Sequence, residues 1–118
     1  MNEDTNILND ITRQLIKAGV EKIILFGSRA RGEENEDSDI DLIVVAPINT
    51  IPGNFREKMD LYLSYNKYIK SFREQKPIDM MVYTRAGFRK FIDMDSMFSR
   101  EILEKGKVLY ETGNKGVA

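Results

Sequence analysis

Three aspartates and a glycine–serine turn hold most of the chemistry available to this sequence. Asp39 and Asp41 flank Ile40 at the start of an apolar run, and Asp79 lies inside a second run, Ile78-Asp79-Met80-Met81-Val82. In an extended strand alternate side chains share a face, so Asp39 and Asp41 project together, about 6–7 Å apart along the chain. Two carboxylates on one sheet face repel each other, and burying them unpaired is costly. A divalent cation relieves both penalties. With reference pKa values near 4, both acids are expected to be ionised at neutral pH, as metal ligation requires. A strand bearing Asp79 beside the first, about 4.8 Å away, adds a third ligand. Three carboxylates can hold two ions about 3.5–4 Å apart, an arrangement suited to phosphoryl or nucleotidyl transfer.

The second half of the candidate site is Gly27-Ser28-Arg29-Ala30-Arg31-Gly32, which leaves the apolar run 22–26. Glycine lets backbone approach an anion closely, and a turn that feeds a helix aims N–H groups outward at phosphate. Ser28 can cap that helix or donate its hydroxyl to a phosphate oxygen. Arg29 and Arg31 add positive charge, although Arg31 can equally pair with the acids of the following loop. The spacing is neither that of a Walker A loop nor that of a dinucleotide fingerprint. Each piece also has a plain reading: Gly-Ser as a turn, Asp-x-Asp as a solvated strand edge, Asp79 as the partner of a lysine. The case rests on their order along the chain.

Positioning these groups requires strands and helices in alternation. Residues 5–18 carry Ile7, Ile11, Leu15 and Ala18 at helical spacing, with Asp4 or Thr5 as a cap and Gly19 as a stop. Strands are expected at 22–26 and 40–45, separated by a turn, a short helix and a polar loop at 34–37. Residues 46–53, with two prolines and a glycine, form a connection. One long helix is expected over 55–73, with Phe55, Met59, Tyr62, Tyr65, Ile69 and Phe72 packing into the core. A third strand spans 78–83. Thr84 caps a helix to about residue 94, Ser96 starts another that stops at Gly106, and a small strand follows at 107–110. Residues 112–118 read as a frayed tail. The fold class is α/β or α+β: a single domain over 1–118, with a mixed sheet of three to four strands and helices packed on it. Ile43, Val45, Met81 and Tyr83 continue the carboxylate face as an apolar strip, to be covered by a helix of this chain or by a partner.

Composition narrows the chemistry. The 118 residues contain no cysteine and no histidine, so thiolate chemistry, zinc–thiolate sites and the commonest general base are excluded. Any metal must be held by oxygen, which favours Mg²⁺ or Mn²⁺. A formal charge of −1 gives no strong general attraction to nucleic acid or acidic membrane. The acidic, polar start is unlike a signal peptide, and no apolar run is long enough to span a bilayer. The expectation is a cytoplasmic protein.

At these residues the chain resembles the minimal nucleotidyltransferases of the DNA polymerase β-like superfamily. The match is Gly27 to Gly32, then Ser38-Asp39-Ile40-Asp41-Leu42, then Asp79, and it extends to Glu104-Lys105-Gly106 and Val108-Leu109-Tyr110. Within that superfamily it is most similar to the MntA-type antitoxins, encoded beside a HEPN-domain ribonuclease toxin. The resemblance implies transfer of AMP from ATP to a tyrosine of the toxin, silencing it. It implies Gly27 and Ser28 at the phosphates, with Arg29 and Arg31 in the same nucleotide-holding segment. It also implies Asp39, Asp41 and Asp79 as catalytic carboxylates around two Mg²⁺ ions. Two other readings stand beside it. One is a small-molecule nucleotidyltransferase, of the aminoglycoside-modifying kind, acting as a homodimer. The other is a non-catalytic antitoxin that works by contact.

Overall fold

The computed structural model describes residues 3–33 and 38–112. The polar loop expected at 34–37 and the tail beyond residue 112 lie outside the described residues. Helix α1 spans Glu3–Lys17, so the cap positions expected at 4 and 5 fall within it. Its apolar face buries Ile11 and Leu15 completely. Gly19, at φ 92°, turns the chain out of the helix while its N–H donates to Ile16 O and that of Val20 to Leu15 O.

Strand β1 (Lys22–Phe26) leads into α2 (Ser28–Arg31), a single turn closed by Gly32 at φ 74°. Strand β2 (Ile40–Ala46) runs antiparallel to β1. Helix α3 (Phe55–Asn66), capped by the Asn54 side chain, then crosses to β3 (Ile78–Thr84), which is parallel to β2. Helix α4 (Arg85–Asp93) and α5 (Met97–Lys105) begin on the Thr84 and Ser96 caps, which accept from Gly87 N and Ser99 N. Strand β4 (Lys107–Glu111) pairs with the outer side of β1. The result is a mixed four-stranded sheet in the order β3-β2-β1-β4, bearing out the expected fold class.

Both faces of the sheet are covered. Ile40, Leu42 and Val44 project to one side with Ile23, Leu25, Ile78 and Met80, against Ile11 and Leu15 of α1 and Ile69. Ile43 and Val45 project to the other with Ile24, against Ile102 of α5 and Phe88 and Phe91 of α4. The β2 half of the apolar strip, Ile43 and Val45, is therefore covered by this chain's own helices, whereas Met81 and Tyr83 of β3 are only half-buried. Among the described residues no helix is long and apolar enough to cross a membrane.

The helix expected over 55–73 is broken. It ends at Asn66, and a separate 3-10 turn occupies Lys70–Glu74. Tight bonds from Tyr68 N to Tyr65 O and from Ile69 N to Asn66 O swing Ile69 into full burial. The guanidinium of Arg73 stabilises the break, donating to Asn66 Oδ1, the Tyr62 hydroxyl and Ile78 O. The aromatic stripe is accordingly only half core. Tyr62, Tyr65 and Phe72 pack on the buried cluster, whereas Phe55 is 74% exposed and Met59 37%.

Candidate active site

Asp41 is the centre of the arrangement. It lies in β2, opposite Phe26 of β1 on one side and Asp79 of β3 on the other. Neighbouring residues in register point to the same sheet face, so the Asp41 and Asp79 carboxylates project together. Asp39 lies two residues before Asp41, outside the strand proper. Asp41 is half-buried, and Asp39 and Asp79 are exposed. Burial, first, and then the charges of Asp79 and Asp39 push the Asp41 carboxyl above its ordinary value. Arg29 and Arg31 pull partly the other way.

Gly27 follows Phe26 directly and adopts φ 77°, ψ −157°, a region that side chains with a Cβ rarely enter. A Cβ at this position would overlap Asp41 Oδ2. The carboxylate thus lies where any other residue would place its side chain, and the turn and the acid are built as one unit. Gly27 O accepts from Ala30 N and Arg31 N. Gly27 itself is the N-cap of α2, with no side-chain cap, so Ser28 is the first residue of the helix and does not cap it.

The two arginines do different things. Arg29 donates from Nε to Asp39 O at 3.0 Å and from a terminal nitrogen to Ser38 O at 2.7 Å, tying α2 to the backbone that presents Asp39. Arg31 is held between Glu33 at 2.9 Å and Glu101 of α5 at 3.1 Å. Phe98 of α5 meets Phe26 edge-on at 5.5 Å and Phe91 of α4 at the same distance. Glu101 and Phe98 thus border the site from a helix some seventy residues downstream. Their neighbours in the chain give no sign of that role.

Whether these residues suit a divalent ion follows from their chemistry. Among the described residues no three acidic groups converge tightly enough to enclose an ion as they stand. Asp41 and Asp79 nevertheless share one face at one end of the sheet, Asp39 lies two residues before Asp41, and the charges of both neighbours raise the Asp41 pKa. An all-oxygen set of that charge suits a hard cation such as Mg²⁺. What remains is a glycine turn beside neighbouring carboxylates.

Residues 6–109 match the nucleotidyltransferase domain family. A protein of Methanocaldococcus jannaschii named "Putative protein adenylyltransferase" is 33% identical over 116 residues, spanning 93% of this chain and 100% of the relative. A crystal structure of a toxin–antitoxin with AMP-PNP superposes with a TM-score of 0.56 at 20% identity, covering 90% of this chain and 74% of the other. A structure of the toxin–antitoxin MntA-HpeT superposes with a TM-score of 0.51 at 19% identity, covering 97% and 77%. At those identities the two structures establish a common fold. The match over most of its length makes this chain a member of the nucleotidyltransferase domain family.

Proposed function

We propose that this nucleotidyltransferase moves AMP from ATP to a tyrosine hydroxyl of a HEPN-domain toxin and acts as its antitoxin. The observation that supports it best is the parallel register of Asp41 with Asp79, beside a glycine turn fitted around the Asp41 carboxylate. The similarity to a protein named as an adenylyltransferase supports a protein acceptor, and the toxin–antitoxin structures support a toxin in that role. The setting we propose is the cytoplasm, where ATP is at hand.

In this reading Asp39, Asp41 and Asp79 would hold Mg²⁺, or Mn²⁺ in its place. The bound metal supplies charge neutralisation of the triphosphate and acidification of the acceptor hydroxyl. Gly27 and Ser28 receive the β- and γ-phosphates through backbone N–H groups and the serine hydroxyl. Arg29 holds the Ser38–Asp39 backbone in place. Arg31, within the same segment, adds positive charge toward the phosphates while paired with Glu33 and Glu101. Asp79 orients the acceptor hydroxyl and takes its proton. The tyrosine oxygen bonds to the α-phosphorus, the bond from that phosphorus to the bridging oxygen breaks, and pyrophosphate leaves with the electron pair. Catalysis is then mostly positioning and charge compensation.

The test is co-expression with the toxin, followed by intact mass of the toxin with and without ATP and Mg²⁺. Gain of AMP on the toxin, lost with Asp39→Ala, is the expected result. An inhibited but unmodified toxin would instead establish a contact antitoxin. AMP on an aminoglycoside and on no protein would establish the small-molecule reading, the one reading that calls for a homodimer.

A further inference from the structure

We infer that the groove between α3, α4 and the outer edge of β3 receives the acceptor, as an extended acidic protein segment with one apolar anchor. The inference rests on the nucleotidyl-transfer reading above and deepens it.

Direction comes from the sheet. Along β1, β2 and β3 lie, in order, the Gly27–Ser28 turn, Asp41 and Asp79. In-line displacement places the entering and leaving oxygens on opposite sides of the phosphorus. With pyrophosphate leaving toward the glycine turn at β1, the acceptor enters from the β3 side. A cavity of about 480 Å³ opens on that side, walled by Leu61, Met81, Tyr83, Phe91 and Met94. Asp79, Met81 and Tyr83 alternate on one face of β3, so the cavity floor begins about 7 Å from Asp79 and ends about 13 Å from it. An anchor side chain seated there lies two to four residues from a hydroxyl at Asp79.

The rim defines the occupant. Lys58 of α3 and Lys90 of α4 line the same cavity, and Arg89 joins Lys90 at the next depression. All three are exposed, and none forms an ion pair with another described residue. Asp93 lines the depression shared by Arg89 and Lys90, and Glu21 and Glu111 line a further one beside Arg89, but the cavity itself is lined by the two lysines and by no acid among the described residues. β3 is the end strand of the sheet, and its outer backbone groups suit an extended segment. A nucleobase in this groove would block the path of the acceptor.

The experiment labels the methionine methyls of the whole chain and follows them by NMR in Mg²⁺ and AMP-PNP. A short tyrosine peptide with two glutamates and one leucine is then added. The expected result is movement of the Met81 and Met94 methyls, with Met80 and Met97 unmoved. Lys90→Glu and, separately, Met94→Asp should weaken peptide binding about tenfold and raise the peptide KM with kcat unchanged. Movement of Met81 and Met94 by AMP-PNP alone would give the groove to the nucleotide and overturn the proposal. So would peptide binding that leaves both methyls still, or binding indifferent to Lys90→Glu. Failure of the nucleotide reading itself shows separately, as no heat of AMP-PNP binding.

Discussion

Alanine at Gly27 tests whether the turn and the Asp41 carboxylate are one unit. The substitution carries two costs. A residue with a Cβ at φ 77°, ψ −157° sits in a region open essentially to glycine alone, at about 1–3 kcal/mol. The new methyl also overlaps Asp41 Oδ2, so that side chain must leave its rotamer, at about 0.5–1.5 kcal/mol. The expected loss is about 2–4 kcal/mol. A domain of this length unfolds with an entropy near 0.25 kcal/mol/K, so Tm should fall by about 8–16 °C. Urea unfolding of Gly27→Ala, Asp41→Ala and the double variant separates the two parts. Removing the carboxylate should relieve the collision and leave the backbone strain, a favourable coupling of about 1 kcal/mol. A Gly27→Ala protein as stable as the parent, or a cycle with no coupling, would refute the reasoning.

Asp41→Asn should remove a pH dependence. Because the folded state raises the Asp41 pKa, it binds that proton more tightly than the unfolded chain does. Metal-free stability should therefore fall as pH climbs from the ordinary aspartate range through the raised value, then level off. The asparagine variant should lack that fall in urea titrations with a chelator present, and should also lose transfer; an unchanged slope would refute the assignment. Asp79→Asn, at an exposed position, should lower the rate of AMP transfer about a hundredfold or more while shifting stability by less than about 0.5 kcal/mol. Radiolabelled ATP measures the first and thermal unfolding the second. Arg29→Ala removes two charged bonds to the Ser38 and Asp39 carbonyls. It should raise the KM for Mg-ATP several-fold, and full activity would contradict the clamp.

The elements were legible wherever a local rule governed them. Thr84 and Ser96 cap helices because a hydroxyl followed by helix-forming residues does so in most contexts. Strand alternation carried Asp41 but not Asp39, because β2 begins only at Ile40. That Asp79 falls directly beside Asp41 depends on β2 and β3 pairing in parallel, which strand patterns do not encode. The break after Asn66 escaped the periodicity because its cause is tertiary: Arg73 bonds Asn66, Tyr62 and Ile78 at once. The Arg31–Glu101 pair joins groups that only the packing of α5 brings together. The Gly27–Asp41 approach needed both strands in place, although the glycine itself was visible as a turn.

The sheet order also offers a practical handle. Val108 of β4 is 51% exposed, and the sequence has no cysteine. A cysteine introduced there would be the sole reactive thiol, three strand spacings, about 14 Å, from β3. A dye or a surface tether attached at that point would leave the opposite rim at β3 clear, so that single molecules could be watched through a turnover cycle.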